Sequence, residues 1–146
     1  MDFSKFDKKV DLEGLKKDIE DSANNDFKEV PHGTYEVAIN KLELGESKKG
    51  DPMVKVWFKI VSEGEYKGSL IFMNQVITKG FQIHIVDEFL RSLETDIDIN
   101  FESYSQYAEL LADVYEAAEG NYEYGLKYGE NKGFDTFEIT EVFELD

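Results

Sequence analysis

Residues 53–61 constrain the fold of this chain more than any other stretch. Apolar side chains occupy every second position there, whereas the positions between them carry Lys55, Trp57 and Lys59. Successive side chains of an extended chain point to opposite faces, so this period of two predicts a β-strand with one face in a hydrophobic core. The core set is Val54, Val56, Phe58 and Ile60. The two lysines and the tryptophan then share the opposite face.

Four further strands are predicted from the same kind of pattern. The first covers residues 35–44 and carries a bulge near Asn40, because its apolar residues change face at that point. Residues 68–77 are apolar at most positions, so this strand is expected to be covered on both faces. Residues 121–128 and 134–143 flank a loop rich in glycine and asparagine, which is typical of a β-hairpin.

Apolar residues at helical spacing predict three helices. A short helix lies within residues 11–20, and two longer ones cover residues 81–93 and 104–118. The order is thus one helix, three strands, a helical insert at 81–120 and two strands. This α+β order matches the five-stranded oligonucleotide/oligosaccharide-binding (OB) barrel, although a different α+β sandwich has the same order of elements.

The length of 146 residues is that of one ordinary domain. We predict an N-terminal arm and helix over residues 1–30 and a single OB-like barrel domain over residues 31–146. The absence of cysteine excludes disulfides, thiolate zinc sites and cysteine nucleophiles. The N-terminus lacks the apolar run of a signal peptide, and no stretch approaches the roughly 18 apolar residues that cross a bilayer. A cytoplasmic location without membrane contact is therefore predicted.

The net charge of −16 is unevenly distributed along the chain. Residues 41–79 hold seven bases and five acids and form a net basic segment, whereas residues 87–119 hold ten acids and one base. Affinity for phosphates comes mainly from lysine and arginine, so a nucleic-acid site belongs in the first of these segments. The second segment offers an acidic surface instead.

The sequence offers little for catalysis. Its two histidines are His32 and His84, and His84 lies in the apolar run FQIHIV, where a structural role is expected. Asp96 and Asp98 lack the ligand spacing of a calcium loop, and there is no glycine-rich phosphate-binding motif. We therefore predict a binding protein and not an enzyme, with no metal and no cofactor.

Lys55, Trp57 and Lys59 form the leading candidate site. An indole between two ammonium groups on one strand face combines a stacking platform with phosphate partners, as single-stranded nucleic acid requires. The alternative is that Trp57 packs beneath a helix with the lysine stems along it. The loop residues Lys48 and Lys49, beside a glycine, suit a mobile phosphate clamp or, equally, a solvated turn.

Aromatic residues near lysines recur elsewhere in the chain. The further candidate ligands of nucleic acid are Tyr66, Lys67, Lys79, Tyr128 and Lys132. Tyr122 and Tyr124 share the strand face of Tyr128 by parity. Because cross-strand aromatic pairs are ordinary sheet packing, packing is the expected role of these two tyrosines.

Three stretches resemble the domain-of-unknown-function 669 family of small acidic phage proteins: PHGTYEVAINKLELGESKKGDPMVKVWFKI, GEYKGSLIFMNQVIT and KGFQIHIVDEFLRSL. The likeness covers nearly the whole chain. Members of that family are commonly encoded among phage replication and recombination genes and are often assigned as single-stranded DNA-binding proteins. The resemblance therefore implies this function, in the cytoplasm of the host cell. Its motif residues, at 47–52 and 64–68, fall in the net basic segment.

The sequence thus predicts non-specific binding of single-stranded DNA along residues 48–79, in phage DNA replication and recombination. Trp57 and Tyr66 are expected to stack on bases, and the lysines of this segment to meet phosphates. The acidic helices are expected to face away and to offer a surface to replication or recombination proteins. The alternative is an acidic protein-binding module, or a mimic of DNA that inhibits a host nucleic-acid enzyme. The oligomeric state, a homo-oligomer included, and the preference between DNA and RNA stay open.

Overall fold

The computed structural model describes residues 29–145. Its strands and helices follow one another in the order β1 (Gly33–Glu46), β2 (Pro52–Ile60), β3 (Leu70–Val76), α1 (Gly80–Ser92), α2 (Tyr104–Ala118), β4 (Tyr122–Asn131) and β5 (Phe134–Glu144). The five strands and two helices of this part of the chain confirm an α+β fold that is mainly β. The predicted helix within residues 11–20, and nearly all of the arm over residues 1–30, lie outside the described residues.

The five strands form one antiparallel sheet in the order β3-β2-β1-β4-β5. Strand β1 is shared between two partners: its residues 33–37 pair with β4, and its residues 37–46 pair with β2. The register between β1 and β2 shifts between Ile39 and Lys41, which confirms the bulge predicted near Asn40. In the described part of the chain β3 and β5 are the edges of an open sheet, so the closed barrel is not confirmed.

The sheet is nevertheless strongly curved. Phe58 of β2 and Phe137 of β5 stack with their ring centroids 6.0 Å apart. Because β1 and β4 lie between these two strands, the rings would be roughly 14 Å apart in a flat sheet with strands about 4.8 Å apart. The bulge in β1 helps to produce this curvature, since a bulge bends its strand and increases the local twist.

Both helices pack on one face of the sheet, here called the inner face, which carries Val37, Val56 and Tyr124. Helix α1 reaches this face through Phe89, whose ring centroid lies 5.8 Å from that of Phe58. Helix α2 packs along β1. The buried residues among those described are all apolar or tyrosine, and the buried hydroxyl of Tyr124 donates to the carbonyl of Leu93 at 2.9 Å. The core therefore lies between the inner face and the helices.

The structural role expected for His84 is wrong. The helix α1 presents Val86, Phe89 and Leu90 to the core, and His84 lies about half a helical turn away from them, exposed to solvent. Phe81 and Ile85 of the same apolar run are also exposed. The run FQIHIV is therefore only partly a core segment, because the helix turns Ile83 and Val86 toward the core and Phe81, His84 and Ile85 toward solvent.

Two features of the strands also differ from expectation. The outer side of β3 is not covered by the described residues, since Phe72 is 39% exposed. The predicted loop at 129–133 is shorter, because β4 and β5 pair as far as Asn131 and Phe134. Lys132 and Gly133 alone form the turn, with φ of 54° and 83°, the left-handed values of a two-residue type I′ hairpin. Among the described residues, no helix is long and apolar enough to span a membrane.

Candidate nucleic-acid interface

The sheet face opposite the core is called here the outer face, and its centre lies on β1, β2 and β3. The strand register places Trp57 between Lys41 of β1 and Phe72 of β3. Lys55 and Lys59 flank the indole on its own strand, because side chains two residues apart share a face. These residues bring two aromatic rings and three ammonium groups to one surface.

The indole of Trp57 contacts both of its cross-strand neighbours. Its ring centroid lies 5.4 Å from that of Phe72, with the planes at 86°, an edge-to-face contact. The ammonium Nζ of Lys41 lies 4.3 Å from the centre of the indole, within the range of a cation–π interaction. Lys41 also pairs with Glu43 at 3.0 Å. The indole is therefore held in place by neighbours in the sheet, and both rings remain partly exposed.

Lys55 and Lys59 are available to an anion. Neither forms an ion pair with another of the residues 29–145. The stem of Lys55 lies over Gly45 of β1, where a Cβ would come 3.0 Å from its Cε. The end of the Lys55 side chain thus lies over the backbone of Gly45, since the same Cβ would come 3.2 Å from its Nζ, and the residue is partly exposed.

The alternative position for Trp57, beneath a helix, does not occur in the described part of the chain. The helices α1 and α2 both pack on the inner face, through contacts such as Phe58 with Phe89. Trp57 points the other way, because it alternates with the buried Val56 and Phe58. The residues that shield it are those of its own sheet.

The other predicted lysines lie at the two ends of the sheet. Lys48 and Lys49 are in the loop between β1 and β2, and Lys79 precedes α1. These three share what is called here the loop end, because the amide of Ile77 donates to the carbonyl of Pro52 at 2.9 Å. All three are exposed.

Lys67 and Lys132 lie at the opposite end, called here the hairpin end. Lys132 is in the β4–β5 turn, and Lys67 is in the turn between β2 and β3, where its ammonium group pairs with Glu63. The two ends are separated by the length of the strands. The predicted basic residues therefore do not form one cluster, although Lys55 and Lys59 do lie together with Trp57.

Tyr66 and Tyr128 do not join Trp57 on the outer face. Tyr66 packs against the ring of Tyr35, an inner-face residue, with centroids 6.4 Å apart. Tyr128 points to the inner face of β4 and stacks on Phe137 at 5.5 Å. The packing role predicted for Tyr122 and Tyr124 agrees with the structure, since both belong to the core.

A second polar group surrounds Tyr128 at the hairpin end. His32 meets its ring edge-on at 4.7 Å and contacts Asp135 through Nε2 at 3.1 Å. Burial and the nearby Asp135 carboxylate both raise the pKa of the Tyr128 hydroxyl, so the phenol is neutral at pH 7. The cluster connects the residue that precedes β1 to β4 and β5.

Glu43, Glu138 and Glu141 lie on the outer face, and the other acidic groups described here lie on α2 and beyond the end of α1. Glu109, Asp113 and Glu116 of α2 are exposed at helical spacing and form no ion pair among the described residues. A cleft of about 570 Å³ between the end of α1 and the ends of β4 and β5 adds Glu94, Asp96 and Glu144. No group of three histidines or carboxylates in residues 29–145 has the arrangement of a metal site.

Lys41, Lys55, Trp57, Lys59 and Phe72 are called here the outer-face cluster. Two of them, Lys41 and Phe72, were not identified from the sequence. A parity argument does place both opposite the core, because Lys41 precedes the buried Leu42 and Phe72 lies between Ile71 and Met73. The sequence gives no register between strands, however. Their position beside Trp57 therefore needed the structure.

Comparison with known proteins gives a family and no function. Residues 17–138 match a family model described as "Protein of unknown function (DUF669)". A search of curated proteins finds no match. The family match spans most of the chain and includes every strand and helix of the described part up to the middle of β5.

Proposed function

Since the chain belongs to the DUF669 family, whose description gives no activity, we propose from the geometry that it is a single-stranded DNA-binding protein and not an enzyme. The role implied by the resemblance, in phage DNA replication and recombination, is part of this proposal. The observation that carries it is the partly exposed pair of rings, Trp57 and Phe72, with lysines on either side.

The chemistry of the outer face suits a single strand better than a duplex. Unpaired bases stack on aromatic rings, and each such contact contributes about 1–3 kcal/mol without reading the sequence. The bases of a duplex are stacked on one another and cannot reach the rings of a protein surface. Lys55 and Lys59 flank Trp57 on β2, at positions where the phosphates between stacked bases would pass, and Lys41, which is paired with Glu43, lies over the indole.

The charge distribution limits binding to this face. Elsewhere the chain is strongly acidic, so a polyanion is repelled by α2 and by the acidic cleft. We expect binding of modest affinity that weakens as salt is added, because a few lysines release few counterions.

The strand order supports an OB-like relationship as a further proposal. An OB barrel is a five-stranded and partly open barrel that binds oligonucleotides on a sheet face. The order β3-β2-β1-β4-β5 is that of a barrel opened between β3 and β5. The curvature that brings Phe58 close to Phe137 bends the sheet toward such a barrel. The ligand proposed here would lie on the outer side of this sheet.

The test is a fluorescence titration. Trp57 is the single tryptophan of the chain, so its emission reports on the outer face alone. With oligo-dT we expect quenching that saturates and weakens between low and moderate salt, and no quenching with a duplex of equal length. A flat titration with oligo-dT at low salt would contradict the proposal.

The exposed acidic row of α2 favours a second candidate function, the binding of a basic protein surface. Glu109, Asp113 and Glu116 repeat negative charge along one helix face, as a mimic of DNA requires. Partners of this surface include replication or recombination proteins and host nucleic-acid enzymes. The variant Glu109→Gln with Asp113→Gln distinguishes the two functions, since it abolishes capture of such a protein and leaves the Trp57 titration unchanged.

A further inference from the structure

The two edges of the sheet differ in the devices that protect an edge strand. Strand β5 carries four acidic residues, Asp135, Glu138, Glu141 and Glu144, and a bulge in its pairing with β4. Strand β3 has the sequence LIFMNQV, without a charge, a proline or a bulge. Charged side chains and bulges normally prevent edge strands from pairing with other chains. The β3 edge is therefore left open to pairing.

The hydrogen bonds of β3 show which backbone groups point outward. The amide of Ile77 donates to Pro52 and the amide of Ile60 donates to Ser69, each at 2.9 Å. In an antiparallel pair such bonds occur at every second residue, so the odd-numbered residues of β3 bond to β2. The even-numbered residues are Leu70, Phe72, Asn74 and Val76. Their amides and carbonyls point away from the sheet.

The outward backbone amides and carbonyls of β3 form a short row that can pair with the same row of a second copy. The carbonyl of Val76 accepts a bond from the side chain of Gln75 at 2.8 Å. Leu70, Phe72 and Asn74 have no backbone hydrogen-bond partner among the described residues. If two copies pair antiparallel with Phe72 opposite Phe72, Leu70 of each lies opposite Asn74 of the other. All three amides and all three carbonyls of both chains are then satisfied by six hydrogen bonds.

We propose that two copies of this chain pair through their β3 edges in this register, and that the two outer faces join into one binding surface. Like charges do not meet at this edge, because β3 has no charged residue. The same pairing at β5 would bring carboxylates together. A second copy is thus the partner that this edge fits.

The consequence for the site rests on the proposed function. The cross-strand row of Lys41, Trp57 and Phe72 continues into Phe72, Trp57 and Lys41 of the second copy. Six strands about 4.8 Å apart make this row roughly 24 Å long. One DNA strand then crosses four aromatic rings, two from each copy, so the partner contributes half of the site.

The register is tested with introduced cysteines, since the chain has none of its own. In Phe72→Cys the two Cα atoms of the pair are about 5.5 Å apart, a distance that a disulfide bridges. In the control Asn74→Cys the two cysteines are four residues out of register, far beyond that reach. In a thiol–disulfide buffer we expect a covalent dimer from Phe72→Cys and several-fold less from Asn74→Cys. Equal yields would overturn the register.

The dimer itself is tested by sedimentation without DNA. The unmodified chain is expected to sediment with twice the 16.8 kDa mass of one chain at submillimolar concentration. Asn74→Pro removes an outward amide from β3 and should give a monomer, whereas Glu144→Pro, which removes an outward amide from β5, should remain dimeric. A monomeric unmodified chain, or a dimeric Asn74→Pro, would overturn the proposal.

These readouts separate the dimer from the proposed function. A dimer that fails to quench with oligo-dT upholds the pairing and contradicts DNA binding. If both hold, the dimer of the unmodified chain, which keeps all four rings, should saturate with one oligonucleotide per two chains. One oligonucleotide per chain would overturn the joined surface.

Discussion

The two faces of β2 carry alternate residues of one strand and serve different purposes. On the inner face Val54, Val56 and Phe58 are fully buried, and on the outer face Lys55 and Trp57 remain partly exposed. The rings of Phe58 and Trp57 are themselves similar, since an indole is as apolar as a phenyl ring over most of its area. The difference teaches that the elements covering an aromatic residue decide whether its ring is buried in the core or left open to a ligand.

The largest expected effect tests the inner face. Phe58→Ala should lower the free energy of unfolding by about 3–5 kcal/mol, because it removes a ring packed between Phe89 and Phe137 and leaves a cavity. Urea unfolding followed by circular dichroism measures this. The matched control is Phe72→Ala on the outer face, where we expect a loss of about 1 kcal/mol, in keeping with a partly exposed ring. Equal losses would remove the distinction between the faces.

The next effect concerns binding. Trp57→Ala should weaken binding of oligo-dT by about 1–3 kcal/mol, the contribution of one stacked base. Fluorescence anisotropy of a labelled oligonucleotide measures it, since the variant has lost its tryptophan. Phe134→Ala is the control, because that ring is 76% exposed and lies at the hairpin end. Unchanged affinity in Trp57→Ala would show that the outer face is not the site.

A smaller effect tests how polar atoms are accommodated beside the core. The hydroxyl of Tyr107 donates to Asp87 at 2.6 Å, and burial is the main cause that raises the pKa of this phenol well above its ordinary value of 10. Tyr107→Phe should cost about 0.5–1.5 kcal/mol near pH 7, the net contribution of one hydrogen bond.

The sign of the pH dependence follows from the same shift. The raised pKa means that the folded state keeps the Tyr107 proton more strongly than the unfolded state. The contribution of the Tyr107 hydroxyl to the free energy of unfolding is therefore complete below pH 10 and is lost as the pH rises beyond that value. Urea unfolding between pH 9 and the onset of base denaturation should show a shallower fall in Tyr107→Phe than in the unmodified chain. Parallel curves would contradict the assignment.

The smallest effect concerns the charges of the outer face. Lys59→Gln should reduce the slope of log affinity against log salt by about 0.7, the value for one phosphate contact with a single strand. Lys127→Gln is a matched control, because Lys127 lies on the same sheet face but on β4, opposite Glu138. If both variants change the slope equally, the DNA extends across β4 as well.

Much of the fold could be predicted from the sequence because its signals are local. The period of two placed β2, the change of parity placed the bulge near Asn40, and the spacing of apolar residues placed α2 at its observed bounds. The exposure of His84 and of the outer side of β3 could not be predicted. Each depends on which neighbouring element covers a residue, and that is settled only when the whole chain packs.

The candidate site was predicted in part for the same reason. Lys55, Trp57 and Lys59 lie on one strand, so their common face followed from alternation alone. Phe72 and Lys41 join them through register with other strands, and Tyr66 and Tyr128 are turned elsewhere by contacts with Tyr35 and Phe137. The residue types alone identified most of these residues as candidates. They did not show which face of the sheet each one lies on.

The divided pairing of β1 has a consequence for how the protein assembles. One part of this strand pairs with β2, its immediate successor in the chain, and the other part pairs with β4, beyond both helices. Closing a short loop costs less entropy than closing a long one, so β1, β2 and β3 are expected to form as an early folding unit, with β4 and β5 a separate hairpin. Docking of the two units on β1 is then the late, slow step. The outer-face cluster belongs entirely to the early unit, so its geometry is set before the core is closed.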